Sequence, residues 1–187
     1  NQRMPVLVLG SILTVALALL VDWIGNSLRL MLTDDRFTAS LSGGRHSVAE
    51  AMNEVLWEDT PSQNIAGRWA TRDTHLGGCH IKAGDLLVLS LAGANSDPRV
   101  RTDGTVLTGG NNAFFSFGHG DHRCPFPAQE IAETVARTAI EVILDRLPDV
   151  DLAVPAEQLT RRPSPWLRGL KDLPVHFTPT PALGGQR

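Results

Sequence analysis

From Pro5 to Val21 the chain runs through seventeen residues without a charge, PVLVLGSILTVALALLV, and no other stretch narrows the possible folds so far. A segment of that length and polarity has to leave water along most of its surface. Two environments allow it. Seventeen residues lie at the lower limit of a membrane span, and Arg3 just ahead of the run suits an anchor or signal peptide. The alternative is a long helix inside a protein core. Ile24, Leu28, Leu30, Met31 and Leu32 carry the apolar pattern past Asp22 and Asn26 at helical spacing, which favours a buried helix that continues beyond any anchor.

A chain of 187 residues is long enough to bury a core and forms one domain or part of one. The net charge of −3 gives no basic surface for nucleic acid. Cys79 and Cys124 are the two cysteines, too few and too far apart for a disulfide framework, which points to a reducing compartment. The first residue is Asn1 and not Met, which reads as a processed chain or a piece of a longer sequence.

Downstream, Thr33-Asp34-Asp35 and the Ser42-Gly43-Gly44 turn break the first helix. A second helix is predicted from about Ser47 to Trp57, with Ser47 as cap, Glu50 as the capping-box acid, and Val48, Met52, Val55 and Leu56 on one face. Short strands follow at Ile65 to Thr71, His80 to Lys82 and Leu86 to Leu91, punctuated by Gly77-Gly78 and Ala83-Gly84-Asp85. Ala94 to Gly110 is polar and irregular, and long irregular segments inside compact domains usually carry function. A last helix runs from behind Cys124 to about Arg146, with Ile131, Val135, Ala139, Ile143 and Leu147 as its buried stripe. Asp151 to Val154 and Leu173 to Phe177 form a small hairpin. The class is mainly α with small β-sheets.

The chemistry concentrates in Phe115-Ser116-Phe117-Gly118-His119-Gly120-Asp121-His122-Arg123-Cys124. A cysteine just before a helix start feels the positive end of the dipole and free N–H groups, which favour the thiolate. Gly118 and Gly120 let backbone amides approach the sulfur or a flat ligand. Such a thiolate is a metal ligand or a nucleophile. As a hydrolase the loop is weak, because His122 and Cys124 are two apart with no oriented third member. A phosphate loop is excluded, because Gly118-His119-Gly120 lacks a third glycine and starts no helix. A zinc module on His119, His122 and Cys124, with Cys79-His80 supplying a fourth ligand, stays open.

The run resembles the cysteine loop of the cytochrome P-450 family, F-x-x-G-x-x-x-C, with Phe117, Gly120 and Cys124 in its fixed places. The long apolar helix, a K-type helix, the small sheet, the Asn95-Ser96-Asp97-Pro98 segment and the loop follow in the family's order, so the chain is similar to the C-terminal half of that fold, a single partial domain over residues 1–187. The resemblance implies a heme-thiolate monooxygenase that inserts one oxygen atom of O2 into a small organic substrate. It implies heme b (iron protoporphyrin IX) with Cys124 as proximal ligand. Phe117 would shield the sulfur, Gly118 and Gly120 would shape the loop beside the cofactor, and His122 and Arg68 would bind the heme propionates. It also implies a ferredoxin-type or other redox partner, a cytoplasmic location, and a first helix buried over the distal face of heme and not in a membrane.

Three positions depart from the family. The K-helix Glu-x-x-Arg stands here as Glu54-Val55-Leu56-Trp57, similar to an unusual actinomycete-type subfamily that lacks the arginine. Glu54 is expected to pair instead with Arg99 or Arg101, with Trp57 stacked on that guanidinium. Ala18 and Leu19 occupy the places of the acid–threonine pair that relays protons, so no catalytic residue is assigned there and a heme-thiolate protein without monooxygenase activity is the alternative. Phe126 stands where a glycine is usual.

Overall fold

The computed structural model describes residues 3–41, 47–101 and 111–181; the Ser42-Gly43-Gly44 turn and most of the second half of the irregular segment lie outside them. Helix α1 (Arg3–Thr33) is a single helix of 31 residues, about 45 Å long at 1.5 Å per residue. Asp34 ends it, and a short α2 (Asp35–Leu41) follows where no helix was predicted. Phe37 is the reason: on this short helix it is completely buried in the core.

Helix α3 (Val48–Glu58) begins as its residues prescribe. Ser47 accepts from the Glu50 N–H at 3.3 Å, and Glu50 reaches back to the Ser47 N–H at 2.5 Å. Ala51, Met52, Val55, Leu56 and Trp57 are buried and meet Trp23 and Met31 of α1. Trp23 Nε1–H donates to Met52 O at 3.1 Å, which fixes α1 against α3 in register as well as by area.

Strands β1 (Asn64–Trp69) and β4 (Leu86–Ser90) pair antiparallel, Ile65 opposite Leu89 and Arg68 opposite Leu87, with an irregularity between. Strands β2 (Thr74–Leu76) and β3 (Cys79–Ile81) make a hairpin about Gly77–Gly78; β2 was not predicted. A short α4 (Leu91–Asn95) starts at the end of the predicted last strand and runs into the stretch from Ala94 expected to be irregular. Strands β5 (Asp151–Leu152) and β6 (Val175–His176) form the expected tail hairpin.

Helix α5 (Ala128–Arg146) forms where expected, but its inward face is rotated by one residue. Ala136 and Ile140 are fully buried and Ala132 and Leu144 pack beside them, whereas Ile131 and Val135 are 57% and 45% exposed. Alanine at two successive turns lets α5 approach its neighbours closely, a gain the bulkier side chains cannot match. Burial of α1 on all sides also needs correction. Its second half is in the core, with Trp23, Asn26, Ser27 and Met31 buried, but Val8, Leu9, Ile12, Leu13 and Leu17 are exposed. Among the described residues nothing packs over that first half.

The second half of α1 is held by polar as well as apolar contacts. Asp59, just past α3, receives Arg29 of α1 at 2.7 Å, Arg168 at 3.2 Å and Arg161. Asn26 donates to Arg168 O at 2.8 Å, and Asp22 pairs with Arg162. These buried, specifically partnered groups belong to a protein interior and not to a lipid-facing surface.

Candidate functional site

The loop before α5 is closed on itself. The Gly118 N–H donates to Phe115 O and the Cys124 N–H to Phe117 O, both at 2.7 Å. Gly118 has φ +75°, and a Cβ there would stand 3.2 Å from His122 O, so a side chain would be strained and crowded. Gly120, at φ +63°, starts a single 3-10 turn ending at His122.

Two anchors carry this loop on α3. Asn95, at the end of α4 and 1% exposed, donates to Leu56 O at 2.8 Å and to Ser116 Oγ at 3.0 Å, and accepts the Phe115 N–H at 2.7 Å. Ser116 Oγ also donates to Leu56 O at 2.5 Å. Leu56 lies in the last turn of α3, where carbonyls have no helical partner, and these donors fill that vacancy. The second anchor is Trp57, whose Nε1–H donates to Asn111 O at 3.1 Å and whose ring meets Phe114 edge-on at 5.9 Å.

Glu54 pairs with Arg101 at 3.0 Å, Arg101 also pairs with Glu58, and its guanidinium lies over the Trp57 ring, 5.6 Å from the centroid. Of the two arginines anticipated for Glu54, Arg101 takes the role. Arg99 is exposed and pairs with Asp97 at 2.6 Å.

A cavity of about 360 Å³ opens above the loop. Leu19, Leu20 and Trp23 of α1 line it, with Ile65 of β1 and with Phe117, Gly118, His122 and Cys124 of the loop. Phe117 meets Trp23 edge-on at 5.7 Å, so ring packing joins the loop to α1 at the cavity wall. The structure thus brings Phe117, Gly118, His122, Cys124 and Leu19 together. Arg68, Gly120 and Ala18 are not among the lining residues. Arg68 is half-buried three residues beyond Ile65 on β1, with Gly67 O at 3.4 Å as a partner, and Gly120 is exposed. Trp23, Asn95 and Ser116 were not anticipated. A tryptophan on an apolar stripe and a polar pair flanking an irregular segment look like any core or loop residue until the chain folds back.

Cys124 departs from the expected thiolate. Burial pushes its thiol above the usual thiol range, the Glu130 carboxylate adds to this, and Arg123 opposes it. Pro125 to Pro127 separate the sulfur from the first residue of α5, so desolvation outweighs the helix end. The zinc alternative is also overturned: among the described residues no group of three or more His, Cys, Asp or Glu side chains is placed to hold a metal. His80 faces Asp73 at 3.8 Å and stacks on His75 across the hairpin, at 4.8 Å between centroids.

No protein-family model matches the sequence. The polyketide biosynthesis cytochrome P450 PksS of Bacillus subtilis is 30% identical over 160 residues, which are 84% of this chain and 39% of that protein. The biotin biosynthesis cytochrome P450 of the same organism is 33% identical over 159 residues, 84% of this chain and 39% of that one. The solved structure of PksS superposes with a TM-score of 0.74 at 30% identity, covering 85% of this chain and 41% of that one. The chain therefore spans about two-fifths of the length of the relatives it matches. In its sequence and in its fold, the chain belongs to the cytochrome P450 family.

Proposed function

We propose that the protein is a heme-thiolate oxidoreductase that inserts one oxygen atom of O2 into a small organic substrate, and that residues 1–187 are one partial domain of that enzyme. The family's cofactor is heme b. The donor set supports its fit: Cys124 lines a largely apolar cavity, and among the described residues no group of three or more His, Cys, Asp or Glu side chains is placed to hold a metal by itself, as suits an iron that would take its remaining donors from a macrocycle. When bound, the heme supplies the electron storage and oxygen chemistry.

The chain's own residues hold and shield. Cys124 Sγ would hold the heme iron, and because burial raises the pKa of its thiol, forming that bond would release the thiol proton. Phe117 and Trp23, edge to face at the cavity wall, would shield the sulfur, and His122 on the same wall would bind a propionate. Arg68 is assigned the second propionate from β1, and Gly118 and Gly120 keep the loop low beside the cofactor. Leu19 presents a hydrocarbon to the cavity where a hydroxyl would relay protons, so proton delivery uses solvent or substrate in place of the helix. Trp57 in place of the arginine supports membership of the subfamily that lacks it. Electrons come from a ferredoxin-type or other redox partner, in the cytoplasm, where free Cys79 and Cys124 stay reduced.

The observation that carries this reading is Cys124 lining the same cavity as α1. Purified protein grown with heme precursor is expected to give a thiolate-type Soret band as the ferrous carbonyl complex, and Cys124→Ala to lose it. With a redox partner, isotopically labelled dioxygen should mark the product. A Cys124→Ala protein with an unchanged band would overturn the ligand assignment.

A further inference from the structure

We propose that Arg101 is the positioning residue for the Cys124 loop, supplying from a distant segment the cation that the K helix lacks at Trp57; the inference rests on the reading of Cys124 as heme ligand. Glu54, Trp57 and Glu58 are spaced i, i+3 and i+4, so they share one face of α3 and present two acids and a ring to a single point. Arg101 fills that point. Its side chain and that of Glu54 are each 6% exposed, its Nη2 lies 3.0 Å from Glu54 Oε1, its Nη1 bonds Glu58, and its guanidinium covers Trp57. A planar fork can serve two carboxylates and stack on indole at once, and an ammonium cannot.

Trp57 and Leu56, neighbours in the same turn, then hold the chain leading into Cys124. Trp57 binds Asn111 O, and Leu56 O binds Asn95 and Ser116. Phe114 continues from Trp57 to Phe117, 6.3 Å between centroids, and Phe117 O accepts the Cys124 N–H. The ion-pair and ring partners of Arg101, namely Glu54, Glu58 and Trp57, do not line the cavity, so its effect on the thiolate passes through this turn. Losing it leaves Glu54 buried and unpaired, a large cost for a single substitution. Arg99, two residues away, is exposed on Asp97 and serves as an internal control.

The test compares wild type with R99A, R101K, R101E, E54R and the reciprocal swap E54R/R101E in the heme-loaded protein. The readouts are the fraction of thiolate-type band and the rate of heme transfer to a scavenger protein. R101E and E54R are expected to lose the thiolate-type band and to shed heme faster by at least about tenfold. The swap should recover most of both, R101K should fall between, and R99A should match wild type. R101K at the wild-type level, or a swap no better than either single variant, overturns the proposal. R101K keeps the charge and fold if the reversals do not fold. The heme-free protein separates this from the heme reading: iodoacetamide should alkylate Cys124 faster in R101K than in wild type, with exposed Cys79 as reference. If wild type forms no thiolate-type band, the heme reading fails, and equal Cys124 alkylation in the two proteins overturns the positioning role.

Discussion

Cys124 shows how one side chain answers to its surroundings more than to its place in sequence. The position before a helix favours the thiolate, yet burial and Glu130 raise the thiol's pKa. The linkage has a definite sign. A group whose folded pKa is raised lends stability that is complete below its unfolded value, about 8.5 for a thiol, and is lost as pH rises through the folded value. Heme-free protein is therefore expected to lose stability in alkaline solution, with Cys124→Ala showing a smaller loss over the same range. Denaturant midpoints measured against pH for both proteins would check this, and parallel curves would contradict it. Trp57 is the complementary case. The sequence marks it as a missing arginine, and the fold turns it into a hydrogen-bond donor and a platform for Arg101.

Among the elements, α3 was the most legible, because its start is local chemistry: Ser47 and Glu50 satisfy each other's backbone N–H groups three residues apart. Helix α5 was legible in extent but not in facing. Apolar size points to Ile131 and Val135, while close packing selects Ala132, Ala136 and Ile140. The facing can be tested. Ala136→Leu should cost about 1–3 kcal/mol by overpacking, whereas Ile131→Ala, at a 57% exposed position, should stay within about 0.5 kcal/mol. Equal losses by urea unfolding would restore the original stripe. Helix α2 was missed because nothing within its seven residues demands a helix; Phe37 reaching the core does. Strand β2 escaped notice for a similar reason, since Thr74, His75 and Leu76 are all exposed and owe their pairing to the turn.

For the whole molecule, Asp59 is the junction where α1, the end of α3 and the tail segment meet, through Arg29, Arg161 and Arg168. No spacing rule links residues so far apart. Asp59→Asn should destabilise by about 3 kcal/mol, the lower end for breaking a buried ion pair because the guanidiniums reach water. Asp22→Asn should cost less, since desolvation already raises the Asp22 carboxyl's pKa and its Oδ2 has no hydrogen-bond partner among the described residues. Calorimetric midpoints of the two variants side by side would decide the order.

Residue types and their local spacing determined that a long apolar helix comes first, that a capped helix and a small sheet follow, and that a cysteine loop with two glycines precedes the last helix. Each depends on interactions within a few residues, which the sequence displays directly. Tertiary structure alone decided which half of α1 is buried, which arginine answers Glu54, which side of α5 faces inward and in which direction burial moves the Cys124 thiol. Those outcomes depend on groups brought together from distant parts of the chain, where burial and pairing are set by the packed whole.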